Sequence, residues 1–293
     1  MWQANWVADQ LGRQDVKVEL VSITTSGDVQ SSGPIAQIGS QGVFTKEIQK
    51  ALLDRRIDLA VHSLKDLSTF PTPGLVLAAV PRRGPVADVL VFRDPRVNSL
   101  DDLPRGACVA TGSVRRRVQL LHARPDLQIE NLRGNVETRL AKLDAGPFDA
   151  IVLAEAGLRR LGFDSRIGQI LDPSLLLPAI GQGALAIEIR DDDSKTREAV
   201  QSLNDPMSYT AVAAERTMLA TLEGGCSAPI GGWARNENDR LILSGRVSQM
   251  DGSKQLDETD EGSFEDPDAL GRLLAERLLQ RGAGELICEA RQS

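Results

Sequence analysis

Between residues 58 and 161, short apolar runs bounded by glycine and proline alternate with segments whose apolar residues recur at helical spacing. This alternation limits the possible folds more than any other feature of the chain. Residues 58–61, 75–80, 88–92 and 107–110 read as short buried strands, and βα alternation continues through 113–121, 127–132, 136–143 and 150–161. Upstream, residues 17–24 are rich in Val, Leu and Ile and end at Ser26-Gly27-Asp28, which predicts a first strand. Phe44, Ile48, Ala51 and Leu52 predict an amphipathic helix over 44–55. Strands alternating with helices of this length imply α/β architecture with mostly parallel sheets covered on both faces.

After Pro206 the pattern changes. A helix over 209–222 is followed by strand-like 230–234 and 241–248, a turn at Asp251-Gly252 and a closing helix over 268–279, the order expected of a small α+β domain. The acidic stretch 257–265 reads as a solvated edge or loop. Boundaries are expected near 81–85 and 204–206, and 293 residues exceed what one core usually serves.

Composition excludes some roles. A formal charge of −7 argues against a nucleic-acid binder, and apolar runs such as 151–154 are too short to span a bilayer. The first residues do not read as a signal peptide, so the cytosol is the expected location. Cys108, Cys226 and Cys288 lack disulfide or metal spacing, and His62 and His122 have no ligand partners at metal spacing, so no metal is expected.

Three segments carry candidate chemistry. Ser63-Leu64-Lys65-Asp66 follows a buried strand. Lys65 and Asp66 are either a surface pair or a carboxylate kept ionised beside a cation, able to stabilise developing positive charge. Thr111-Gly112-Ser113-Val114-Arg115-Arg116 and Arg133-Gly134-Asn135-Val136-Glu137-Thr138-Arg139 both join a strand end to a helix start. Each is either a solvated helix face or an anion site of free N–H groups, hydroxyls and guanidiniums, and their recurrence favours a polycarboxylate ligand. Cys226, in Gly224-Gly225-Cys226-Ser227, is a buried small residue or a nucleophile whose thiol nearby arginines acidify. Cys108 and Cys288 lie in apolar strand-like contexts and read as inert, and Trp2, Trp6 and Trp233 read as core or boundary residues.

Taken together, residues 61–66, 112–116, 132–139, Leu177-Pro178-Ala179-Ile180-Gly181-Gln182-Gly183 and Leu222-Glu223-Gly224-Gly225-Cys226 resemble the porphobilinogen deaminase family. The resemblance implies two type II periplasmic-binding-protein-like α/β domains flanking a cleft, plus a small C-terminal α+β domain. Residues 1–82 with 184–202 would form the first, 83–183 the second and 203–293 the third. It implies a dipyrromethane cofactor held by a thioether to Cys226, and porphobilinogen as substrate, with four units joined into hydroxymethylbilane. Asp66 and Lys65 would act in catalysis. Ser63, Lys65, Thr111, Ser113, Arg115, Arg116, Arg133, Arg139 and Gln182 would hold the cofactor. A monomer free of nucleic acid and membrane is expected.

Two departures from the family pattern bear on this. Gln37 and Gln41 stand where many relatives carry lysine, and Met1 already stands inside the first helix, so the chain as written is expected to lack a first strand and an Arg-x-Ser segment. The competing readings are an inactive truncated copy and a non-catalytic anion-binding module of the same fold.

Overall fold

The structure, a computed structural model, describes residues 1–23, 45–225 and 228–292. Helices α1 (Trp2–Gly12) and α2 (Lys46–Leu53) precede strand β1 (Leu59–Ser63), a 3-10 turn at Leu64–Asp66 and strand β2 (Leu75–Ala79). The chain then crosses to β3 (Asp88–Phe92), β4 (Cys108–Ala110), α3 (Val114–Ala123), β5 (Gln128–Glu130), α4 (Val136–Ala145), β6 (Ala150–Ala154), α5 (Glu155–Arg160) and β7 (Gln169–Ile170). It returns through β8 (Leu185–Arg190) and α6 (Ser194–Gln201). It ends in α7 (Pro206–Thr221), β9 (Ile230–Glu237), β10 (Arg240–Ser248), β11 (Gln255–Gly262), α8 (Pro267–Gln280) and α9 (Ala283–Gln292).

Three sheets result, in the orders β1-β8-β2, β5-β4-β6-β3-β7 and β11-β10-β9. Each has its own core. Along β3, Val89 and Val91 pack on one face with Leu140, Leu143 and Leu158, while Leu90 and Phe92 pack on the other with Leu120 and Leu176. Burial on both faces explains why this strand reads as an unbroken apolar run. The first sheet packs Ile187 and Ile189 of β8 against Val7 and Leu11 of α1. In the third, Leu241, Leu243 and Val247 meet Met218, Leu274 and Leu278.

Local chemistry fixes the helix starts facing the second and third sheets. Ser113 caps α3 by accepting from the Arg116 N–H, Asn135 caps α4 by accepting from the Thr138 N–H, and Asp205 caps α7 with Pro206 at its first position.

The expectation of mostly parallel sheets is corrected. Only β4 runs parallel to its neighbours β5 and β6. Every pair in the first sheet is antiparallel, as are β3 with β6 and β7, and both pairs of the third sheet. The cause lies in the crossovers. β3 enters the second sheet from the first and β8 returns between β1 and β2, while β9, β10 and β11 follow one another directly as antiparallel neighbours.

The strand expected over 17–24 is also corrected. Lys17 to Ile23 makes no ladder with a neighbouring strand, and Val18, Leu20 and Val21 are exposed, since apolar composition makes a strand only where an edge pairs with it. Thr24 and Phe44, the ends of the two upstream segments, lie outside the described residues. The acidic stretch largely becomes β11, an edge strand of the third sheet. Cys108 is half-buried in β4, and burial pushes its thiol up. Cys288 is exposed on α9 rather than in an apolar strand, because the last helix continues the fold past the closing helix expected.

Candidate active site

The cleft is built where the three sheets meet. β1 alternates half-buried and buried residues, and its end delivers the 3-10 turn that carries Lys65 and Asp66 to the cleft wall. Behind that turn, His62 is buried with its Nε2 3.1 Å from Glu188 Oε2, and Gln49 donates to Glu188 Oε1 at 2.9 Å. His62 is thus held within the wall. His122 has Nδ1 2.8 Å from the Gly252 carbonyl. Among the described residues no three His, Cys, Asp or Glu side chains cluster as metal ligands.

Opposite Asp66, the β4–α3 junction contributes Gly112, Ser113, Arg115 and Arg116, and α4 contributes Arg139. A Cβ at Gly112 would lie 2.6 Å from the Leu132 carbonyl, so the two strand-to-helix junctions approach closely only because this residue is glycine. The described lining holds four cationic side chains, Lys65, Arg115, Arg116 and Arg139, and one carboxylate, Asp66.

Burial pushes the Lys65 ammonium down from its ordinary value, with Arg116 and Arg115 adding to the effect, while Asp66 beside it holds it up. Burial likewise lowers Arg139, with Arg116 pushing the same way and Asp66 opposing. Asp66 is therefore the carboxylate that favours the charged form of both cations. The excess positive charge is what a ligand bearing several carboxylates complements.

The arginines are not free forks. Arg115 donates to Leu177 O and Asp88 Oδ2, both at 2.7 Å. Arg116 donates to Asp88 Oδ1 from Nε at 3.0 Å and from the Nη2 nitrogen at 2.7 Å, and to Val152 O at 3.0 Å. Both are buried, at 4% and 5% exposure, and Arg115 Nε has no hydrogen-bond partner among the described residues. Burial alone would push the Asp88 carboxyl above its ordinary value, but the two guanidiniums win and hold it at about 2.

The remaining expected residues divide. Gln182 reaches the cleft, donating from Nε2 to Val86 O at 2.7 Å and Asp88 Oδ1 at 2.9 Å. Ser63 lies at the adjoining cavity beside Trp2, its hydroxyl accepting from Gln3 at 2.7 Å. Thr111 is buried off the lining, where its hydroxyl accepts from the Ser113 N–H at 3.2 Å and shapes the turn. Arg133 is exposed and does not line the cleft. Arg133 precedes the Asn135 cap and lies outside α4, whereas Arg139 sits one turn into the helix, which aims it inward. Cys226, Gln37 and Gln41 lie outside the described residues, but Gly224, Gly225 and Ala228, which flank Cys226, line the cleft.

Two residues at the heart of the site escaped the reading from sequence. Asp88 opens β3 with no exposure and was absorbed into an apolar strand. Glu215, fully buried in α7, accepts from Arg83 at 2.6 and 3.1 Å, and from the Gly181 and Ala234 N–H groups, both at 2.7 Å. It thereby ties both crossovers to the third sheet. The available signal was a charge in an otherwise apolar stretch, as at Ala213-Ala214-Glu215.

The family model described as the porphobilinogen deaminase dipyromethane cofactor binding domain matches residues 1–198, and that of the porphobilinogen deaminase C-terminal domain matches residues 209–280. The chain is 46% identical to the porphobilinogen deaminase of Brevibacillus brevis over 98% of its own length and 93% of the relative's. It is 47% identical to that of Pelotomaculum thermopropionicum over 100% and 94%. Looser likenesses among solved structures include an ancestral cationic amino acid solute binding protein, at TM-score 0.41 and 17% identity, covering 69% of this chain and 77% of that one. A Bordetella pertussis BvgS periplasmic VFT2 domain gives TM-score 0.40 and 16% identity, covering 69% and 76%. With two family models spanning most of its length and relatives at nearly half identity, the chain belongs to the porphobilinogen deaminase family.

Proposed function

We propose that this chain deaminates porphobilinogen and joins four such units head to tail into hydroxymethylbilane, with Asp66 as its main catalytic residue. The observation that carries the reading is the placement of Asp66 in one cleft with Lys65, Arg115, Arg116 and Arg139, beside the glycine pair that precedes Cys226. Each pyrrole unit bears two carboxylates, so a growing chain gathers negative charge and needs fixed cations, which a mobile ammonium supplies less well than a planar guanidinium.

The donor set fits a dipyrromethane cofactor, because hydroxyl, ammonium and guanidinium groups line the same cleft as Gly224, Gly225 and Ala228. Linked to Cys226 by a thioether, the cofactor supplies the free pyrrole end on which elongation starts. The side chains of this protein do the rest. When the aminomethyl C–N bond of porphobilinogen breaks, the nitrogen leaves as ammonia and a positive charge develops on the pyrrole. The Asp66 carboxylate, beside Lys65 and Arg139, stabilises that charge and takes the proton that the attacking pyrrole carbon gives up when the new C–C bond forms. Arg115, Arg116 and Arg139 hold carboxylates. A non-catalytic anion binder gains nothing from a carboxylate in such a cleft, which separates the two readings.

The three sheets support a division into domains of residues 1–82 with 184–202, 83–183 and 203–293. Among the described residues no helix is long and apolar enough to cross a membrane. A cytoplasmic monomer completes the reading, checked by fractionation and light scattering.

The test is the intact mass of the purified protein. The enzyme carries two pyrrole units beyond the sequence mass, and Cys226→Ser carries none and is inactive. A wild-type protein at the sequence mass, or a Cys226→Ser protein with normal cofactor mass, overturns the reading.

A further inference from the structure

We propose that Asp88 is a positioning residue of the anion site, holding the Arg115 and Arg116 guanidiniums from within the chain so that an incoming carboxylate meets donors already aimed. The inference rests on the reading that these two arginines hold the cofactor's carboxylates.

Two adjacent guanidiniums repel, and at 4% and 5% exposure neither is relieved by water. Left without an internal counter-ion they would swing apart toward solvent. Asp88 prevents this by engaging both, through Oδ2 with Arg115 and through Oδ1 with Arg116. Gln182 adds a third, neutral donor to Oδ1 at 2.9 Å. The carbonyls of Leu177 and Val152 take one further nitrogen of each arginine, so each guanidinium is fixed at two points by groups of opposite sign.

Asp88 is itself immobile. It opens β3, pairs with Ala154 in the ladder and has no exposure. A carboxylate so placed cannot swing away when a ligand enters. It also cancels one unit of the local positive charge at the back of the site, leaving the cleft-facing N–H groups to the ligand. Asp88 does not line the cleft, so it acts on a ligand only through the groups that do, chiefly the two arginines.

The experiment follows, by time-resolved intact mass, how fast cofactor-free protein acquires two pyrrole units from added porphobilinogen. Asp88→Asn removes the charge while keeping the size. Asp88→Glu keeps the charge but shifts it by one methylene, and serves if the asparagine variant fails to fold in its cofactor-free form. Uptake is expected to slow about 10-fold or more in both, the size of loss that misaligned groups produce. The melting temperature of the glutamate variant should stay near that of wild type. Uptake at the wild-type rate by a folded Asp88 variant overturns the proposal and leaves a purely structural ion pair. Arg115→Leu and Arg116→Leu, run in parallel, separate the two levels of argument. If they too load normally, the reading of the site is what fails; if only they slow, the role of Asp88 alone falls.

Discussion

Replacing Glu215 with glutamine removes the charge from a fully buried carboxylate while keeping its shape and one acceptor oxygen. The partner, Arg83, has a side chain only 9% exposed, so the change strands a guanidinium away from water. Breaking a buried pair from one side costs about 3–5 kcal/mol, because the remaining charge loses its compensation. Oε1 accepts from one Arg83 nitrogen and the Ala234 N–H, and Oε2 from the other Arg83 nitrogen and the Gly181 N–H, so the glutamine NH2 must face Arg83 together with one of these two backbone donors. One of these donors therefore goes unsatisfied, at a further cost of about 1–3 kcal/mol. Relaxation of Arg83 toward solvent recovers part of the loss, so about 4 kcal/mol is the working figure, a fall of roughly 8–16 °C in melting temperature. Calorimetry of the wild type, Glu215→Gln, Arg83→Leu and the double variant forms a cycle in which the two single losses should not add. A Glu215→Gln protein melting within about 2 °C of wild type would refute the reasoning, and would mean that water reaches the pair.

Three further outcomes are expected. Asp66→Asn should lower kcat by roughly 100-fold or more while the protein still loads cofactor and melts normally, since Asp66 is exposed in the cleft; a variant retaining most of its kcat moves the chemistry to another residue. Arg139→Leu should stall elongation, with part-grown chains visible by mass, whereas Arg133→Leu should behave nearly as wild type because its side chain is off the lining; equal defects would contradict the placement. In acid, Asp88 sets a window. Its folded value near 2 lies below the ordinary carboxyl value of 3.8, so its contribution is complete above about pH 4 and is lost as the pH falls through 2. Urea midpoints between pH 5 and 2 should drop more steeply for wild type than for Asp88→Asn, and parallel curves would refute the assignment.

The alternation of strands and helices was readable because β3 and β6 are buried on both faces, leaving Val, Leu and Ile no polar interruption. Strand direction was not readable, since it depends on which distant segment each crossover joins, as with β8 beside β1. β8 itself was hidden because Glu188 and Arg190 break its apolar pattern, and both are buried by long-range partners, His62 and Asp58 among them. In the site, Lys65, Asp66, Arg115, Arg116 and Arg139 line one cleft because the strand ends and helix starts that carry them converge there. Arg133 was not separable from Arg139 without the helix phase of α4. Asp88 and Glu215 were missed for a common reason. A lone acid in an apolar run declares nothing until its arginine partners, far away in sequence, are brought beside it.

The position of β8 in the middle of the first sheet has a consequence for synthesis. β1 and β2 each pair with β8 and not with each other, although β8 is made only after every strand of the second sheet has been translated. Through the roughly 5–20 s that translation of the intervening stretch takes, β1 and β2 lack their common partner. The second sheet is uninterrupted in sequence and can close first. β8 then completes the earliest part of the chain from the middle of the sequence, with the third sheet still to follow, so the first two sheets close in the reverse of the order in which they begin.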